Sequence, residues 1–127
     1  MRELLFVGSG GFIGSVARFL LSGAVTQVTT ASRFPFGTLA VNALGCLAIG
    51  MLSGIAEQTG AFSPNTRLLL FTGVLRGFTT SSAFAYETLF LGREHAWSLA
   101  LVNVVAQVAL GLAALFIGHQ GTVLVVK

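Results

Sequence analysis

The chain has 127 residues, of which 54% are hydrophobic and only 9% charged, with sixteen glycines and a mean hydropathy of +0.88. Soluble domains hydrate their surfaces with about 25% charged residues, so seven Lys/Arg and four Asp/Glu exclude a soluble globular domain of this size. A scattered net charge of +3 argues against a nucleic-acid partner, and a single cysteine, Cys46, excludes an internal disulfide or a cysteine-based metal cluster. What remains is an all-α integral membrane protein, one transmembrane domain over residues 1–127, with lipid as its solvent.

Apolar runs fall at 4–24, 37–57, 68–91 and 96–118, each 21 to 24 residues long. About 20 residues of helix cross a hydrocarbon core, so the pattern predicts four spans and leaves no room for a soluble catalytic domain. The first run contains Arg18 and exceeds the roughly 7–15-residue apolar core of a signal peptide, so it reads as a retained helix. The second run places Asn42 and Cys46 four apart, on one helical face. Pro35 and Pro64 fall in the connections, as helix terminators. The third run is the odd one: Gly73-Val74-Leu75-Arg76-Gly77-Phe78-Thr79-Thr80-Ser81-Ser82 holds two glycines, a charge and four consecutive hydroxyls. Such residues weaken a helix and offer its backbone other partners, which predicts a break near Arg76–Thr80. The fourth run carries Asn103 and Gln107 on a shared face, flanked by His95 and His119.

An even number of spans puts both termini on one side with the second connection. That side gathers Arg2, Arg67 and Lys127, and the other gathers Arg33 and Arg93. Three positive charges against two give almost no orientation bias under the positive-inside rule. The expectation is dual insertion and pairing of two copies as an antiparallel dimer, the alternative being a single weakly specified topology. Gly10-x-x-x-Gly14, Gly50-x-x-x-Gly54 and Gly73-x-x-x-Gly77 permit close helix approach and point to a tightly packed oligomer.

Polar groups at membrane depth mark the candidate site. Asn42, Asn103, Gln107 and the Thr79–Ser82 run are uncharged; they read either as interhelical hydrogen-bonding glue or as donors for a dehydrated small anion. Among the charges inside spans, Arg18 can snorkel toward a vestibule, Glu87 suits a structural ion pair, and Arg76 can attract anions, pair with Glu87 of a neighbour or cap exposed carbonyls. No paired carboxylates or Ser/His constellation at membrane depth suggests catalysis, so an enzyme is not expected. The Gly8-Ser9-Gly10-Gly11 run lacks the preceding strand a phosphate-cradling loop requires.

These motifs resemble the Fluc (CrcB-type) fluoride channel family over nearly the whole chain. Gly10 to Arg18 is similar to the family's glycine-rich start with an arginine, and Gly37-Thr38-Leu39-Ala40-Val41-Asn42-Ala43-Leu44-Gly45 is similar to its second-span signature. The stretch from Gly77 to Glu87 resembles Gly-Phe-Thr-Thr-Phe-Ser-Thr-Phe-Ser-x-Glu. The resemblance implies a passive exporter of cytoplasmic fluoride in a bacterial inner membrane, built as an antiparallel, dual-topology homodimer with two pores. It implies a fluoride pathway through Asn42, Phe84, Ser81, Thr80 and Ser82, a vestibule arginine at Arg18, and a central structural Na+ held by backbone carbonyls at Arg76, Gly77 and Thr79. The chain departs from the family pattern at Ser81, where a pore phenylalanine stands, at Ala83 for threonine, at Arg76 for a glycine of the sodium site, and at Gly111 for a serine. Those departures keep open a heterodimer with a paralogue or a nonconducting subunit. A dual-topology cation exporter fits less well, because it needs an acid at membrane depth in the first span and the only one near there is Glu3, at the very end.

Overall fold

The computed structural model describes all 127 residues. Four helical spans run the length of the chain: α1 (Arg2–Val28), α2 (Phe36–Thr59), a composite third span over Pro64–Arg93, and a last helix over Trp97–Val126. The composite span begins with α3 (Pro64–Arg67), widens into a π-helical stretch over Leu68–Leu75, and returns to α4 (Arg76–Phe78). It resumes after two extended residues as α5 (Ser81–Arg93), and the last helix is α6. The break expected near Arg76–Thr80 is therefore present, at Thr79 (φ −78°, ψ 154°) and Thr80 (φ −146°, ψ 120°).

The helices overrun the apolar runs at nearly every end, because polar residues continue helical hydrogen bonding beyond the hydrocarbon layer. Pro64, expected in a connection, is the first residue of α3, where its missing N–H would have no intrahelical partner anyway. Ser63 caps that turn by accepting from Thr66 N at 3.2 Å. At the other end of the span, His95 adopts φ +60°, while Glu94 N and Ala96 N donate back to the Phe90 and Leu91 carbonyls, closing α5 with a left-handed residue.

Packing pairs α1 with the first half of the third span, and α2 and α5 with α6. The glycine pairs make the closest approaches. A Cβ on Gly10 would lie 2.5 Å from Leu69 O, one on Gly77 would lie 2.7 Å from Gly11 O, and one on Gly118 would lie 2.5 Å from Leu47 O. The small-residue motifs expected to join separate copies are thus used inside the protomer, with α1 on the π-helical stretch and α2 on α6. Only 17 of 127 residues are buried, and leucine, valine and phenylalanine side chains lie exposed along α1 and α6, so those helices present an apolar outer surface suited to lipid.

Candidate functional site

Breaking a helix frees backbone groups that must find other partners. Here Thr80 N, which would have donated to Arg76 O in a continuous helix, donates to Asn42 Oδ1 at 2.8 Å. Asn42 Nδ2 in turn donates to Thr80 O at 2.9 Å, so one carboxamide from α2 clips both faces of the Thr80 peptide unit. Thr80 Oγ1 then caps α5 by accepting from Ala83 N at 3.2 Å. On the other side of the break, Thr79 N and Thr79 Oγ1 both donate to Leu75 O, at 3.0 and 3.1 Å.

The clip continues as a polar ladder into α6. Asn42 Nδ2 also donates to Gln107 Oε1 at 3.1 Å, Gln107 Nε2 faces Asn103 Oδ1 at 3.5 Å, and fully buried Asn103 donates to Thr88 Oγ1 at 2.9 Å. Within the chain these uncharged residues bond to one another across helices, as the interhelical reading expects. Asn42 gives both amide hydrogens to the protein, so it lines the site without a spare donor. Gln107, outside the expected pathway set, keeps an N–H free. Its polarity at membrane depth and the face it shares with Asn103 are its signals in the sequence.

Two cavities flank the break, and Thr80 lines both. One, of about 560 Å³, gathers Asn42, Thr80, Ser81 and Phe84 together with Arg76, Thr79 and Gln107, and no carboxylate lines it. Ser81 Oγ there has no hydrogen-bond partner. The other, of about 700 Å³, holds Ser82 and the expected vestibule residue Arg18, with Thr38, Tyr86 and Glu87. Ser82 Oγ lies 3.3 Å from Thr80 Oγ1, which links the two sides. Gly77 faces neither cavity; it seats α4 on Gly11.

The ion pair expected for Glu87 is not formed. Its Oε1 accepts from Thr38 Oγ1 at 2.6 Å and its Oε2 is buried without a partner. The ion pairs of the chain are Arg33–Glu94, at 2.9 Å between two connections, and His119–Glu57, at 2.9 Å between α6 and α2. Arg76 is exposed and pairs with no acid. No three His, Cys, Asp or Glu side chains converge as metal ligands.

Four apolar spans, one of them broken, with a cavity on either side of the break that gathers hydroxyl and amide side chains, define a multi-pass membrane protein. Residues 5–119 match the family described as CrcB-like protein, Camphor Resistance (CrcB). The chain belongs to that family. It is 47% identical over 120 residues to the fluoride-specific ion channel FluC of Methylobacillus flagellatus, covering 94% of each chain. It is 48% identical to the protein of that name from Chlorobaculum tepidum, covering 93% of this chain and 92% of the other. With the FluC of Nitratidesulfovibrio vulgaris the identity is 41%, over 93% and 94% of the two chains.

Proposed function

We propose that the chain is a fluoride-selective channel of a bacterial inner membrane, which exports cytoplasmic fluoride passively as an antiparallel, dual-topology homodimer. The observation that carries this reading is the lining of the cavity beside α4. It offers the free hydroxyl of Ser81, the spare N–H of Gln107, the hydroxyl of Thr80 and the guanidinium of Arg76, with no carboxylate to repel an anion. A dehydrated fluoride needs several short donors at once, and the electropositive edge of the Phe84 ring adds a further favourable contact. Membrane potential and gradient supply the driving force, and no reaction is catalysed.

In this reading Asn42 is a positioning residue. It fixes the Thr80 peptide and so sets where the Thr80 and Ser81 hydroxyls stand. Arg18 offsets the field of Glu87 in the opposite cavity, where an uncompensated carboxylate would raise the barrier to an anion. The sodium ion implied by the family resemblance would be held by backbone carbonyls at Arg76, Gly77 and Thr79, where the Arg76 side chain brings a like charge. No step of the conduction path is therefore assigned to sodium.

Fluoride efflux from liposomes holding this chain alone, read with a fluoride electrode against chloride efflux, tests the proposal. Fluoride efflux without chloride efflux is the expected result. Absence of efflux from folded, dimeric protein would overturn the homodimeric channel and turn the search to a paralogous partner subunit.

A further inference from the structure

One face of α5 runs unbroken from the helix break to the far end of the span. Ser82, Tyr86, Phe90 and Glu94 recur every fourth residue, which stacks them along one side of a helix. Ser82 and Tyr86 line the cavity of about 700 Å³, while Tyr86, Phe90 and Glu94 line a further cavity of about 180 Å³. Glu87, next to Tyr86, also lines both, so the two spaces adjoin at these residues. Arg33 and Pro35, from the connection between α1 and α2, complete the smaller one. There Arg33 Nη2 donates to Glu94 Oε2 at 2.9 Å and lies 3.5 Å from the Glu94 carbonyl oxygen.

We propose that the Arg33–Glu94 pair sets the charge at the outer mouth of the anion route, Arg33 drawing anions in and Glu94 limiting that attraction. The inference rests on the channel reading and extends its path along α5 to the aqueous edge. Glu87 is the one acid lining both cavities, and a carboxylate there opposes an anion approaching from either. Each cavity also contains one arginine, Arg18 in the larger and Arg33 in the smaller. They differ in one respect: Arg18 has no acid partner, whereas Arg33 is tied to Glu94. The side chains of that pair are 56% and 47% exposed, and pairs so open to water are worth about 1 kcal/mol or less. An anion arriving from solution can therefore take the place of Glu94 on the guanidinium at small cost. Charge at a pore mouth raises the local concentration of the opposite ion, an effect that salt screens.

Fluoride conductance in planar bilayers, at fixed low fluoride and with ionic strength raised by a salt of an impermeant anion, tests the proposal. At low ionic strength Glu94→Gln is expected to raise conductance about twofold to threefold, and Arg33→Gln to lower it by about the same factor. Both effects should shrink in high salt, and Arg33→Lys should conduct close to the native value. Both side chains are exposed, so the neutral variants are expected to fold. A pair that merely ties two connections together would move both neutral variants in the same direction. That outcome, or native conductance in both variants, would overturn the proposal alone. Absence of fluoride conductance from folded native protein would overturn the channel reading and the proposal together.

Discussion

The two halves of the third span are held by different physics. Residues 64–78 lie on α1 through backbone-to-backbone contact, with Gly10, Gly14, Gly73 and Gly77 allowing the chains to touch. The α5 half is held by side-chain hydrogen bonds, Thr38 to Glu87 from α2 and Asn103 to Thr88 from α6. The first kind of seating tolerates no added atom, because carbonyl and Cα cannot yield as a flexible side chain can. The second tolerates substitutions at a graded cost. The lesson is that one span can be rigid at one end and adjustable at the other, with the break separating the two regimes.

The largest expected effect breaks the rigid seam. Gly14→Val drives a side chain into the Val74 carbonyl and Phe78 N, at a cost of at least about 3 kcal/mol, and should abolish recovery of monodisperse protein in size-exclusion chromatography. Gly11→Ala, one turn away with open space around its Cβ, should fold normally. Next comes the clip between the halves. Asn42→Ala leaves the Thr80 N–H and carbonyl unpaired, costing about 2–3 kcal/mol in unfolding free energy and about tenfold or more in fluoride efflux. On the adjustable side, Asn103→Leu removes the buried bond to Thr88 and the long one from Gln107 and should cost about 1–2 kcal/mol by thermal unfolding. The smallest change lies outside both halves: His95→Gly relieves a positive φ and should add about 0.5–1 kcal/mol of stability while leaving efflux unchanged.

Much of this architecture is legible in the sequence because lipid imposes a simple rule. Apolar runs of about 20 residues become spans, and the cluster from Arg76 to Ser82 marks the break because glycines and hydroxyls give the backbone partners outside the helix. The π-helical register of Leu68–Leu75 has no such signal, since LLLFTGVL reads as an ordinary apolar helix; its geometry belongs to the contact with α1. The glycine motifs are visible, but their period does not say whether the facing helix belongs to the same chain or to a second copy. Likewise Asn42 is conspicuous as a polar residue at depth, yet its bond to Thr80 spans 38 residues of sequence and arises only once α2 meets the break. Glu87 follows the same logic, because its Thr38 partner lies 49 residues away and bears no charge.

Thr80 lines the cavities on both sides, so at this point they share one residue as their wall. Were the two cavities to fill with water from opposite phases, most of the transmembrane voltage would fall across that shared wall. A monovalent ion would then take up most of its electrical work, about 2.3 kcal/mol per 100 mV, in crossing that wall. Short distance and steep field together would then make Thr80 the electrical midpoint of the molecule.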